Sequence, residues 1–276
     1  MKYAYYNGKI ILEKDVVISH RDLGFLRGYG IMDALKTVNG KPFLLEEHLR
    51  RLQNGLEALN LKWTITVQEF DQIIKALINK SELTEDVAVK TVVTGGKSSN
   101  GLAVDGEPTV LITINDLANV TPDRKVYETG AGVVLVEFQR HLPRVKTINY
   151  IAALQHQKEK EDAKATDMVY YSKGMILEGS TSNIFIVKNG EVITPLKNIL
   201  FGTTRNCLVK LFKNQGVVVR EGEVSREKLL SADEVFLTGT FKDVLPVVKV
   251  DDTIINSGNI GEKTKQGMEL LKSAMK

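Results

Sequence analysis

The chain has one cysteine, Cys207, in 276 residues, so no disulfide can form within it. Histidine is almost as scarce, and His20, His48, His141 and His156 lie too far apart to make a short metal-ligand motif; no metal site is expected. No apolar run approaches the ~20 residues that a membrane span needs. The opening Met1-Lys2-Tyr3-Ala4-Tyr5 leads into a polar hairpin rather than an apolar signal segment, and the expected location is cytoplasmic. An excess of one charge is also missing. The 37 basic and 34 acidic residues leave a net charge of +3 and form no clustered basic stripe for nucleic acid. No internal repeat or low-complexity stretch occurs. Apolar residues make up 43% of the chain, enough at this length to bury a large core in one big domain or two modest ones.

Hairpins followed by helices are predicted for the first third. Asn7-Gly8 and Asn39-Gly40 each sit between β-rich runs, a strong short-range hairpin signal. Leu45, Leu49, Leu52, Leu56 and Leu59 recur at helical spacing, as do Phe70, Ile73, Ile74, Leu77 and Ile78, so two helices should press apolar stripes onto a sheet. Strand-like runs at 86–93 and 108–114 close this region, and 115–125 then loses all periodicity. The expected division is a small domain over 1–116, a linker over 117–125 and a larger domain over 126–276. The second half begins with a strand over 133–138 and a helix over about 150–164. Strands follow at 167–171, 175–177, 184–187 and 191–194, with turns at Lys173-Gly174 and Asn189-Gly190. A helix over 204–214 ending at Gly216, a short helix over 226–231, strands over 234–238 and 245–250 and a closing helix over 261–275 complete the pattern.

Lys146 is the residue with the clearest chemical signature. It is followed by Thr147-Ile148-Asn149-Tyr150 and, about thirty residues on, by Leu177-Glu178-Gly179-Ser180-Thr181-Ser182-Asn183. Val145, Ile148 and Tyr150 imply a partly buried setting for its amine, of the kind Schiff-base chemistry uses. A pyridoxal phosphate enzyme needs such an amine and an acid that keeps the pyridine nitrogen protonated; Glu178, ending an apolar run, is the candidate acid. Gly202-Thr203-Thr204-Arg205 opens a helix with backbone N–H groups directed at any anion docked there. Arg51 lies two residues after Leu49 on the edge of the apolar stripe, where it can reach inward while Arg50 faces water.

Six segments, in order, resemble the fold-type IV pyridoxal phosphate enzymes, which comprise the branched-chain and D-amino-acid aminotransferases and aminodeoxychorismate lyase. They are His48-Leu49-Arg50-Arg51-Leu52, Lys146-Thr147-Ile148-Asn149-Tyr150, Glu178-Gly179-Ser180-Thr181-Ser182-Asn183, Gly202-Thr203-Thr204-Arg205, Ala232-Asp233-Glu234-Val235-Phe236 and Thr238-Gly239-Thr240. The resemblance implies an α+β fold of two domains, a small N-terminal α/β sandwich-like domain and a larger C-terminal pseudo-barrel, with pyridoxal 5'-phosphate between them. It implies Lys146 as the Schiff-base lysine and Glu178 on the pyridinium. It places Tyr150 at the cofactor's phenolic oxygen, and Arg51, Ser180, Thr181, Thr203, Thr204, Gly239 and Thr240 around the cofactor and its phosphate. It also implies a homodimer with shared active sites. The activity implied is transfer of an amino group between an amino acid and a 2-oxo acid such as 2-oxoglutarate, with aminodeoxychorismate lyase as the alternative.

Substrate choice is where the chain departs from these relatives. The D-amino-acid enzymes' arginine is missing from the loop near Thr94-Gly95-Gly96, and Met32 replaces their tyrosine. Arg27 and Lys90 stand where they can together hold the α-carboxylate, with Met32 and Phe241 beside the substrate. A cationic clamp of this kind favours D-amino acids over L-branched-chain substrates.

Overall fold

A computed structural model describes all 276 residues, which fall into two compact units. The first contains Met1–Val120 and Val145–Tyr150, and the second Thr121–Arg144 and Ile151–Lys276. The segment around Lys146, expected in the larger domain, thus packs with the first unit. No helix is long and apolar enough to cross a membrane.

In the first unit the elements are β1 (Tyr3–Tyr6), β2 (Lys9–Leu12), α1 (Leu23–Arg27), β3 (Gly30–Val38), β4 (Lys41–Pro42), α2 (Leu45–Ala58), α3 (Val67–Ser81), β5 (Val87–Thr94) and β6 (Thr109–Asp116). The strands form one antiparallel sheet in the order β2-β1-β6-β5-β3-β4. Both Asn-Gly pairs adopt positive φ at each residue, 46° and 88° at Asn7-Gly8 and 52° and 74° at Asn39-Gly40, as a tight two-residue turn requires. Leu49, Leu52 and Leu56 of α2 and Phe70, Ile74 and Leu77 of α3 are buried with Ile31, Leu35, Val89 and Ile112 in one core. Thr66 and Glu69 close a capping box that starts α3.

Side chains alternate along β3. Ile31, Asp33 and Leu35 point to the helical core, while Met32, Ala34 and Lys36 point to the other face. Val145–Tyr150 runs along the edge of β3: Met32 N donates to the Lys146 carbonyl at 2.8 Å and Ile148 N to the Gly30 carbonyl at 3.1 Å, with Thr147 opposite Ile31.

The second unit contains α4 (Arg124–Thr129), β7 (Ala131–Glu137), α5 (Ile151–Gln155), α6 (Gln157–Asp162), β8 (Asp167–Ser172), β9 (Met175–Gly179), β10 (Asn183–Lys188) and β11 (Glu191–Pro195). It continues with α7 (Thr203–Asn214), β12 (Val219–Gly222), α8 (Arg226–Leu230), β13 (Glu234–Gly239), β14 (Asp243–Val250), β15 (Thr253–Ile254) and α9 (Glu262–Ala274). One mixed sheet runs β12-β11-β10-β13-β14-β7-β8-β9, with β15 on β14. It curls so that β9 at one end lies against β10 and β11, a half-barrel. Val133, Leu135, Val169, Ile184, Leu237 and Leu245 fill its core. The single helix expected over 150–164 is instead two short ones broken at His156. After Leu154 the sequence Gln155-His156-Gln157-Lys158-Glu159 offers no further apolar stripe, and neither helix buries a residue, so no packing enforces a continuous helix.

Candidate active site

The strapping of Val145–Tyr150 onto β3 fixes the backbone of Lys146, leaving its amine half-buried. Lys146 Nζ lies 3.0 Å from the Tyr150 hydroxyl, four residues on. Val145 is buried in the helical core of the first unit and anchors the segment from within. Gly30 makes this approach possible. A Cβ there would sit 2.7 Å from the Val93 carbonyl and 3.1 Å from Ile148 Cδ1.

On the helical side of the same sheet, Arg51 does reach inward. Its Nε and Nη2 donate to the two oxygens of Asp33 at 2.7 and 3.0 Å, and His48 Nδ1 lies 2.6 Å from Asp33 Oδ1. Arg50 is exposed, as expected. Burial would push the Asp33 carboxyl up, but the charge of Arg51 and the hydrogen bonds from Arg51 and His48 hold it well below the usual carboxylate range. Burial in turn lowers His48 below the ordinary imidazole value against the pull of Asp33, so the ring is neutral near pH 7. With Asp33 ionised and His48 neutral, Nδ1 carries the ring proton and donates it to the carboxylate.

Glu178, on β9, is buried and doubly held in the second unit. Oε1 accepts from Arg140 Nε at 2.8 Å and Nη2 at 2.7 Å, and Oε2 accepts from the Leu200 amide at 2.9 Å. The turn after it is organised by Asp167, at the start of β8. Asp167 accepts from the Ser180 hydroxyl at 2.6 Å, the Ser182 hydroxyl at 2.7 Å and Lys242 Nζ at 2.5 Å. Burial opposes the charge on Asp167, yet Lys242 and the two serines keep its carboxyl below the usual range. Thr203 and Thr204 are buried in the first turn of α7, which no side chain caps. Arg205 turns away from that helix mouth to the Pro195 carbonyl and Glu221. Gly239 ends β13, and Thr240 and Phe241 form the half-buried turn into β14.

Arg27 and Lys90 are not neighbours within the chain. Arg27 ends α1 with Nη1 on the Leu26 carbonyl and Nη2 against Gly101. Lys90 projects, exposed, from the middle of β5 beside Ala34 and Thr113. Gly24 of α1 packs on Thr94, and Lys90 is four residues from Thr94, roughly 13 Å along a strand. Met32 and Lys90 do share one face of the sheet, with Val92 and Leu111 in the row beside Met32.

Asp33, Arg140, Asp167 and Lys242 escaped the sequence reading. For Asp33 a signal existed, because a carboxylate between Ile31 and Leu35 falls on the core face of an alternating strand. Arg140 lies in an irregular stretch with no periodicity to place it. No group of three or more His, Cys, Asp or Glu side chains could hold a metal ion.

The model of the amino-transferase class IV family matches residues 30–250. A Methanocaldococcus jannaschii protein named "Putative branched-chain-amino-acid aminotransferase" is 31% identical over 97% of this chain and 94% of its own length. The aminodeoxychorismate lyase of Bacillus subtilis is 28% identical over 97% and 92%. The D-alanine aminotransferase of Bacillus licheniformis is 25% identical over 98% and 96%. Among solved structures, the Escherichia coli branched-chain amino acid aminotransferase superposes with a TM-score of 0.89 at 24% identity, over 97% of this chain and 92% of that one. The T.th. branched-chain amino acid aminotransferase complexed with N-(5'-phosphopyridoxyl)-L-glutamate gives a TM-score of 0.88 at 22% identity, over 99% and 94%.

Proposed function

The chain belongs to the class IV aminotransferases, and from that premise we propose that it transfers an amino group from a D-amino acid to a 2-oxo acid such as 2-oxoglutarate, with pyridoxal 5'-phosphate as cofactor and as a homodimer. The observation that carries this reading is the half-buried Lys146 amine on the Tyr150 hydroxyl, held by a backbone strapped to β3.

The residues present fit the cofactor. The N-cap of α7 is Gly202, which has no side chain to cap it, and a helix N-terminus is suited to a phosphate. A Cβ on Gly202 would meet Asn183 Oδ1 at 2.2 Å, so only glycine fits beside Asn183 at the start of that helix. Thr238 Oγ1, just before Gly239-Thr240, is buried without a partner.

Pyridoxal phosphate, when bound, supplies the carbonyl that takes up the amino group and a ring that delocalises the electrons left at the substrate's α-carbon. Lys146 moves the proton off the donor's α-carbon and, in the return half-reaction, puts one back on the incoming oxo acid's carbon. Tyr150 orients the Lys146 amine through its hydroxyl. Glu178, pinned by Arg140 and the Leu200 amide, would hold the ring N–H. Arg51, the Thr203 and Thr204 amides and Thr240 would bind the phosphate.

Arg27 and Lys90 hold the substrate's α-carboxylate from different subunits of the dimer; their separation within one chain is consistent with a shared clamp. A second reading, L-branched-chain substrates, draws on the apolar row of Met32, Val92 and Leu111 beside Lys90.

The test adds D-alanine, D-glutamate, L-leucine and L-glutamate in turn to cofactor-loaded protein and follows the cofactor's absorption spectrum. Conversion by the D-compounds alone is expected. Conversion by L-leucine alone would move the reading to branched-chain substrates. Pyruvate release from aminodeoxychorismate without amino transfer to 2-oxoglutarate would overturn the transaminase reading.

A further inference from the structure

In the second unit, two loops are clasped by one buried ion pair. Asp167 is 2% exposed, and a carboxylate that far from water needs a counter-charge and hydrogen bonds to remain ionised. It has both. Lys242 Nζ lies 2.5 Å from Oδ2, the Ser182 hydroxyl 2.7 Å from the same oxygen, and the Ser180 hydroxyl and Met168 amide 2.6 and 2.7 Å from Oδ1. Ser180 and Ser182 each have a single hydroxyl proton, and both are committed to Asp167.

Thr181, between them, is different. Lys242 Nζ also lies 2.6 Å from Thr181 Oγ1. An ammonium has only protons to give, so Thr181 Oγ1 must be the acceptor there. Its own hydroxyl proton is then directed away from Lys242, and no acceptor in the chain takes it. Thr181 is exposed at the tip of the loop, so this proton faces outward. The lysine is fixed at its other end as well. The Tyr127 hydroxyl donates to the Lys242 carbonyl at 3.0 Å, and burial together with Asp243 raises that phenol far enough to keep it a donor. The two loops are close at the backbone too: a Cβ on Gly239 would lie 3.2 Å from the Thr181 carbonyl.

We propose that Lys242, clamped on Asp167, is a positioning residue that turns the Thr181 hydroxyl into a preset donor for an oxyanion, either the phosphate of the cofactor or the carboxylate of the amino acid. This rests on the pyridoxal-phosphate aminotransferase reading. Lys242 itself stays engaged with Asp167 and Thr181 and does not touch the anion. Its effect reaches the ligand through one oriented O–H bond.

The experiment measures equilibrium binding of pyridoxal 5'-phosphate and, separately, of pyridoxal, which lacks the phosphate, to the cofactor-free wild type, Thr181→Val, Lys242→Met and the Thr181→Val/Lys242→Met pair. It also measures KM for the amino acid at saturating cofactor. If the anion is the phosphate, each single variant weakens pyridoxal 5'-phosphate binding about tenfold, the scale of one charge-assisted hydrogen bond. Pyridoxal binding then moves less than about threefold. If the anion is the carboxylate, KM rises about tenfold instead and both cofactor affinities hold.

In either case the double variant is no worse than the weaker-binding single variant, because the two side chains act as one unit. Where Lys242→Met does not fold, Asp167→Asn/Lys242→Met takes its place, since it removes the buried charge along with its partner. Equal losses for pyridoxal and its phosphate, additive losses in the double variant, or unchanged values throughout would overturn the proposal. A wild type that binds no pyridoxal 5'-phosphate would take the functional reading down with it. A wild type that binds normally, with variants that match it, removes only this inference.

Discussion

Replacing Asp33 with asparagine tests the electrostatics beneath Arg51. The side chains of Asp33 and Arg51 are 6% and 12% exposed, so the change strands a buried guanidinium and takes the acceptor charge from His48. Removing one partner of a buried pair costs about 3–5 kcal/mol; asparagine keeps the shape and one acceptor oxygen, which puts the loss near 3 kcal/mol. At about 2–4 °C per kcal/mol for chains of this size, the melting transition of the first unit should fall by roughly 6–12 °C. Thermal unfolding of the cofactor-free protein, followed by circular dichroism at pH 7, reads this directly. The pH dependence is a sharper check. The Asp33 carboxyl is depressed in the folded state, so its stabilisation is complete above the unfolded value of about 3.9 and is lost as pH falls below it. The gap between wild type and Asp33→Asn should therefore narrow as pH falls below about 4. Equal melting temperatures at pH 7, or a gap that widens below about pH 4, would refute this account of the pair.

Lys146→Ala should reduce amino transfer by at least about a thousandfold while shifting the apo melting temperature by less than about 2 °C, because the lost amine is half-exposed; rate assays and circular dichroism on one preparation check both. Gly30→Ala forces a methyl to within 2.7 Å of the Val93 carbonyl and 3.1 Å of Ile148 Cδ1. It should cost about 1–3 kcal/mol and lower kcat by displacing the Lys146 segment, seen as loss in both denaturant titration and turnover. Arg27→Ala should raise KM for amino acids about tenfold or more with little change in cofactor affinity, and an unchanged KM would remove Arg27 from the carboxylate clamp.

Most of the local structure could be read from the sequence because local chemistry determines it. The Asn-Gly turns need positive φ, and the leucine and isoleucine stripes of α2 and α3 have one face to bury. Lys146 and Glu178 stood out because few residue types perform their chemistry. Partnerships made across long sequence distances could not be read. Glu178 and Arg140 are 38 residues apart and Asp167 and Lys242 75 apart, and nothing near either member specifies the other. The break at His156 lay between these cases: the helical residues were present, but without an apolar stripe no partner surface joins the two halves.

The strand-like passage of Val145–Tyr150 along β3 bears on how the protein is made. The amide of Met32 and the carbonyl of Gly30 find their partners in residues synthesised more than a hundred positions later. A nascent chain stopped at Val120 would present that edge of β3 bare to any other strand, and its core would lack Val145. The first unit is therefore not an autonomous module. A fragment ending near residue 120 should aggregate, whereas one extended through Tyr150 has the means to close its own edge.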